Sequence, residues 1–245
     1  MHRLHLKSSD LNDSFLELDS NQYHHLFNVC RLKNGSNLEC VIDDTRLIIV
    51  SITEIKKNGF SFLIVDQFSS VQSRRIAVDL IQSLPKQDKL TEACKLCTEI
   101  GVSNIFPVIT EYCDVTTLPE NKIKRIHTSI DSAAKQSKQF AIPRFHSLKP
   151  LNDFLISKQW CEYDVLLIAY EGATLHLSDI IQRPSKAIHR MCIAIGPEGG
   201  YSSVDLDLFN AHGFQQFSLG SSIFRTEHAG FAAINYIDGF LSNFP

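Results

Sequence analysis

The 245-residue sequence contains no run of about 20 apolar residues, so no segment of it reads as membrane-spanning. Its N-terminus, MHRLHLKSSD, lacks an apolar stretch of signal-peptide length, which predicts a cytoplasmic protein. Cysteine is sparse and odd in number. Seven thiols scattered from Cys30 to Cys192 suit the reduced state better than a disulfide framework. Positive charge is not in surplus either: 24 Lys and Arg against 27 Asp and Glu leave a net charge of -3. That is not the balance of a general nucleic-acid coater, although binding follows local patches rather than the sum. There is no internal repeat and no low-complexity tract, and the single tryptophan, Trp160, reads as packing ahead of an apolar strand. What is present is ordinary for a soluble globular protein, with 44% hydrophobic and 21% charged residues, enough for one large domain or two smaller ones.

The texture of the chain changes near residue 70. Residues 1–70 carry β-rich runs at 38–43, 46–55 and 60–66, with hairpin-turn signals at Asp43-Asp44 and Asn58-Gly59, and predict a small β-barrel. A short helix over 22–33 is expected before them, from Leu26, Val29 and Leu32 at helical spacing. Residues 71–245 alternate strands and helices, which predicts an α/β domain with a mostly parallel sheet. The runs YDVLLIAYE and RMCIAIG are bare apolar strands of the kind buried on both faces. KLTEACKLCTEIG reads as a helix stopped at Gly101, and SSVDLDLFNAHG as one opened by a Ser202–Asp205 capping box and stopped at Gly213. The terminal helix, TEHAGFAAINYIDGFL, is apolar on more than one face through Phe231, Ile234, Ile237, Phe240 and Leu241, which points to a homodimer contact. Basic patches lie in MHRLHLK, at Arg74-Arg75, and in the long helix with Lys122, Lys124, Arg125, Lys135 and Lys138.

One stretch resists an ordinary reading: IAIGPEGGYSS, where an apolar run ends in Gly196-Pro197-Glu198-Gly199-Gly200 before a helix start. It is not a P-loop, because Tyr201 follows the last glycine where Lys and Ser/Thr are needed. Glycines at 196, 199 and 200 miss the dinucleotide spacing, and Glu198 stands where a nucleophile elbow needs serine. What remains is a loop presenting backbone groups to a flat, hydrogen-bonding ligand such as an adenine. Cys94-x-x-Cys97 has no second ligand pair at metal spacing and reads as two residues of one helix, so no metal is expected.

IGPEGGYS, followed some residues later by LGSSIFRTEHAG, resembles the ribosomal RNA small-subunit methyltransferase E family of the SPOUT, trefoil-knotted superfamily. HHLFNVCRLKNGS and SLPKQDKLTEACKLCTEIGVSNIFPV are similar to further segments of that family, so the resemblance runs along the whole chain. It implies a PUA-like β-barrel that binds RNA, followed by a knotted methyltransferase domain that dimerises. It also implies S-adenosylmethionine (S-adenosyl-L-methionine) held by three loops, represented here by Ala169, Glu171 and Gly172; by Ile195, Gly196, Glu198, Gly199 and Gly200; and by Leu219, Gly220, Ile223, Phe224 and Thr226. The implied substrate is N3 of a uridine in small-subunit (16S) rRNA, presented naked or in the assembled 30S subunit.

That chemistry suits the residue types. Methylating an imide nitrogen is an in-line displacement that needs near-attack positioning and stabilisation of charge on the uracil oxygens. Arg225 is always cationic and can supply the second, while Glu198 or Glu227 can take the proton or orient the base. Residue types alone do not choose between the two carboxylates, and Glu227 also reads as a first-turn carboxylate at the start of the last helix. Arg31, Lys86, Lys135 and Lys138 are the candidate RNA contacts.

Two segments depart from the family pattern. The long helix ends in Lys135-Gln136-Ser137-Lys138-Gln139, without the family's Glu, Gly and Arg, and Ser221-Ser222-Ile223-Phe224 with His228 alters the last loop. These changes keep two alternatives open: a non-catalytic RNA-binding protein on the same fold, or a methyltransferase acting on tRNA or another rRNA site.

Overall fold

The computed structural model describes residues 2–12, 14–69, 76–181 and 188–241. The chain divides into two compact units, residues 1–73 and 74–245. The Arg74-Arg75 patch lies outside the described residues.

The first unit contains β1 (His2–Leu6), β2 (Leu11–Asn12), β3 (Phe15–Glu17), α1 (Ser20–Tyr23), β4 (Asn37–Ile42), β5 (Arg46–Lys56) and β6 (Gly59–Ser69). They form one six-stranded sheet, ordered β1-β4-β5-β6-β3-β2, in which only β1 and β4 are parallel. Two register shifts in the β5–β6 ladder add local twist, and the sheet curls around Leu16, Leu26, Leu38, Ile48 and Phe60. Asp43 and Asp44, at φ 47° and 58°, are the central residues of the turn between β4 and β5, closed by Thr45 N–H to the Ile42 carbonyl at 3.1 Å, with both left-handed as the strand twist requires.

Two expectations fail in this unit. The helix over 22–33 is instead the single turn of α1 continued by a π-helical segment, His24–Val29, closed by Cys30 N–H to the His25 carbonyl. An i→i+5 turn breaks the 3.6-residue phase, so Leu26 is buried but Val29 is 59% exposed. The MHRLHLK patch is basic surface only in part: Lys7 is exposed, but Arg3 is buried and paired with buried Glu39 at 2.7 Å.

The second unit contains β7 (Ala77–Ser83), α2 (Lys89–Glu99), β8 (Asn104–Ile109), α3 (Glu120–Gln136), β9 (Arg144–Phe145), β10 (Lys149–Pro150), α4 (Leu151–Ile156), β11 (Val165–Ala169), α5 (Leu177–Ile181), β12 (Arg190–Ile195), α6 (Ser203–Ala211), β13 (Gln215–Phe217) and α7 (Thr226–Leu241). Every pairing in its seven-stranded sheet is parallel. The order is β10-β8-β7-β12-β11-β13, with β9 also beside β8. Alternate residues of β12 serve opposite cores: Met191, Ile193 and Ile195 face one cluster, Cys192 and Ala194 the other. That is why the strand is apolar without a break. Ser202 caps α6 reciprocally with Asp205, and Gly101 and Gly213 stop α2 and α6 at φ +80° and +85°.

Cys94 and Cys97 are both buried in α2, and burial pushes the Cys94 thiol well up. Among the described residues no group of His, Cys, Asp or Glu is arranged to hold a metal, and no helix is long and apolar enough to cross a membrane.

Candidate active site

Because β12, β11 and β13 are adjacent and parallel, the loops that follow them leave the same edge of the sheet. Ligands of open α/β sheets bind outside these carboxyl ends. The loop after β11 begins at Tyr170 and Glu171, the loop after β12 is 196–202, and the loop after β13 runs from Ser218 to Arg225. Tyr170 N–H donates to the Phe217 carbonyl at 3.0 Å, and Ser218 N–H donates to the Leu175 carbonyl at 2.8 Å, so the first and third loops are stitched together. The three segments singled out in the sequence therefore converge.

The first and second loops meet at Gly200. Its φ of +71° is left-handed, and a Cβ there would stand 3.4 Å from Glu171 Oε1. At Gly199 a Cβ would press on Tyr112 Cβ at 3.1 Å. These glycines thus have reasons internal to the fold. A Gly200→Val substitution would strain the turn itself and not only obstruct a ligand.

Glu198 is tied down. Lys89 Nζ contacts its Oε1 at 2.7 Å, and the Lys86 backbone N–H donates to both oxygens at 3.2 and 3.3 Å. Burial pushes this carboxyl up, but the Lys89 ammonium and the backbone donors outweigh burial and hold it below the ordinary carboxylate range. Glu198 thereby locks the turn after β7 to the glycine loop. The Lys86 side chain pairs with Asp114 at 2.7 Å, with both partners exposed.

Glu227 is the opposite case. It sits in the first turn of α7 at 7% exposure, and its Oε2 is buried with no hydrogen-bond partner. Beside it in sequence, Thr226 Oγ1 donates to the Gly196 carbonyl at 2.6 Å and accepts from Gln82 Nε2 at 2.9 Å. Gln82, fully buried near the end of β7, leaves its Oε1 without a partner. Arg225, one residue before α7, is exposed and has no ion-pair partner among the described residues. Ile223 and Phe224 are exposed at 85% and 42%, so the third loop presents apolar side chains to its surroundings.

Gln82 and Lys89 were not among the residues singled out in the sequence. A signal for Gln82 exists: it and Asp79 are the polar residues inside the buried strand AVDLIQS. Asp79 occupies the other end of β7, held by Arg190, Tyr163 and Asn104, and takes no part in the loop cluster.

Residues 72–238 match the family described as "RNA methyltransferase domain", and residues 18–65 match "RNA methyltransferase PUA domain". The chain belongs to the RNA methyltransferase family. Its first unit corresponds to the PUA-like part of that family and its second to the methyltransferase part. Among its relatives is the ribosomal RNA small subunit methyltransferase E of Rickettsia conorii, 27% identical over 235 residues, covering 95% of this chain and 93% of that one. The protein of the same name from Bacillus subtilis is 27% identical over 225 residues, covering 88% and 86%. The structure of the Neisseria gonorrhoeae ribosomal RNA small subunit methyltransferase E, bound to S-adenosyl methionine, superposes with a TM-score of 0.84 at 25% identity over 98% of both chains.

The candidate RNA contacts are dispersed. Arg31 is exposed in the first unit at φ 54°; Lys135 pairs with Asp131 at 2.6 Å; Lys138 follows α3 at φ 58°. The support for a dimer from the terminal helix also weakens, because Ile234 and Ile237 are buried within their own unit. Side chains of Phe240 and Leu241 lie outside the described residues.

Proposed function

We propose that this RNA methyltransferase uses S-adenosylmethionine to methylate N3 of a uridine in small-subunit rRNA, in the cytoplasm and as a homodimer. The observation that carries the reading is the convergence of the three loops on one sheet edge, with the exposed Arg225 at the end of the last loop and Glu227, its Oε2 without a hydrogen-bond partner among the described residues, in the first turn of α7 just after it.

The residues at that edge fit the cofactor. Two orphaned acceptors, Gln82 Oε1 and Glu227 Oε2, need donors that the protein does not provide, and S-adenosylmethionine carries an ammonium, ribose hydroxyls and an adenine amine. Ala169, Glu171 and Gly172, the loop Ile195–Gly200, and Leu219, Gly220, Ile223, Phe224 and Thr226 would hold it. When bound, the cofactor supplies a methyl group on a sulfonium. The knotted threading of the C-terminal segment belongs to the same reading.

The protein's own contribution is placement and charge. Arg225 faces the uracil oxygens and stabilises the negative charge that grows there as N3 loses its proton. Glu227 orients the imide or receives that proton, since its Oε2 has no hydrogen bond from the protein to satisfy it. Glu198 is a positioning residue in this scheme, because its carboxylate is spent on Lys89 and the Lys86 amide. Arg31, Lys86, Lys135 and Lys138 contact RNA.

The test is calorimetry of S-adenosylmethionine with the purified protein, joined to nucleoside mass spectrometry of small-subunit rRNA from a deletion strain. Expected are measurable binding and loss of one N3-methyluridine. No cofactor binding would leave an RNA-binding protein without turnover, and a lost methyl group on tRNA instead would move the substrate.

A further inference from the structure

Between α2 and α3 runs an open groove of about 460 Å³, lined by Thr91 and Lys95 of α2 and by Lys124, Arg125, Ser129 and Ser132 of α3. No carboxylate lines it. Lys95 has no partner among the described residues. Lys124 and Arg125 make only exposed ion pairs, with Glu120 at 2.9 Å and Asp88 at 3.4 Å, which are worth little and yield to a better anion. Thr91 Oγ1 is a buried hydroxyl with no partner. Three cations and a row of hydroxyls, with nothing acidic between them, form a donor surface for phosphate oxygens.

Its position adds a second reason. The groove begins where α3 meets the turn after β7: Lys122 Nζ donates to the Gln87 carbonyl, and Arg125 reaches Asp88. That turn is the one locked to the glycine loop through Lys89 and Glu198. From Lys124 to Ser132 the groove extends about 12 Å along the helix axis, taking a rise of about 1.5 Å per residue. It is therefore a cationic channel running outward from the candidate active site. Lys135 does not line it.

We infer that the α2–α3 groove carries the sugar–phosphate backbone of single-stranded RNA flanking the methylated nucleotide, with Lys95, Lys124 and Arg125 contacting phosphates and Ser129 and Ser132 donating hydroxyl hydrogen bonds. This rests on the proposed function and names the path of its substrate. Phosphate contacts fix the register of the strand without reading its sequence, so the groove sets which nucleotide arrives at the site and not its identity.

The experiment compares the full-length protein with its Lys95→Ala/Lys124→Ala/Arg125→Ala variant. It measures affinity for a fluorescent single-stranded fragment from the 3′ region of small-subunit rRNA across a KCl series. Loss of three phosphate contacts should reduce the slope of log affinity against log salt by about two. S-adenosylmethionine affinity by calorimetry should stay unchanged, since none of the three residues lies on the cofactor loops. A second variant, Ser129→Ala/Ser132→Ala, should weaken binding without changing the slope, which separates lost hydrogen bonds from lost charge. An unchanged slope in the triple variant, with the fold intact by circular dichroism, overturns the groove assignment. So does a change in oligomeric state by light scattering without a change in slope, because the groove would then be a contact between copies. Failure of the parent protein to bind S-adenosylmethionine strikes the methyltransferase reading instead and leaves the slope comparison standing.

Discussion

Thr226 Oγ1 lies 2.6 Å from the carbonyl oxygen of Gly196, joining the first residue of the last helix to the glycine loop across 30 residues of sequence. The same hydroxyl accepts from Gln82, so strand β7, the glycine loop and helix α7 share one polar junction. Substitution at this junction therefore bears on stability and on cofactor binding together.

Thr226→Val keeps the shape but removes both hydrogen bonds, leaving Gly196 without its donor and the buried Gln82 amide without one of its acceptors. The expected cost is about 1–3 kcal/mol in denaturant unfolding, with weaker S-adenosylmethionine binding by calorimetry. Thr226→Ser should restore most of both. A valine variant equal to the parent in both measurements would dismiss the junction as incidental.

Glu198 and Glu227 make opposite predictions. Glu198 has a folded-state pKa below its unfolded value, so its contribution to stability is present above the ordinary carboxylate range and is lost as pH falls through the depressed folded value. Across neutral pH it stays ionised and cannot shape a pH–rate profile. Glu198→Gln should weaken cofactor binding and loosen the turn after β7, with a smaller loss of single-turnover rate once the cofactor is saturating. Glu227→Gln should lower the single-turnover rate with both ligands saturating and leave cofactor affinity nearer that of the parent. Reversed results would exchange the two roles.

Arg225 is predicted to act on the transition state more than on ground-state binding. Losing one preorganised donor typically costs on the order of a hundredfold in turnover, so Arg225→Ala should show that loss in single-turnover rate with both ligands saturating. If saturation restores the rate, the guanidinium only clamps a phosphate or the cofactor carboxylate.

In the first unit, Arg3 and Glu39 are both buried and joined at 2.7 Å. Arg3→Met breaks this buried charged hydrogen bond and should destabilise the unit by about 1–3 kcal/mol. Arg3→Met combined with Glu39→Leu should recover much of the loss. A single variant as stable as the parent would mean that water reaches the pair.

Much of the second unit is legible in the sequence, because its signals are local. The capping box at Ser202–Asp205, the glycine stops at 101 and 213, and the unbroken apolar runs of β11 and β12 each depend on neighbouring residues only. The glycine loop and the Arg-Thr-Glu segment were legible for the same reason, as short strings with unusual chemistry. Tertiary structure alone decided what those residues face. That β12 enters the sheet between β7 and β11 is a long-range pairing, and it brings the loops after β11, β12 and β13 to one edge. The two equal carboxylates of the sequence became unequal because Lys89, 109 residues away, neutralises Glu198 while nothing reaches Glu227 Oε2. Arg3 likewise looked like surface charge until β1 paired with β4 and placed it against Glu39. Periodicity and turn chemistry act over a few residues, whereas burial and charge pairing depend on which distant segments the fold brings into contact.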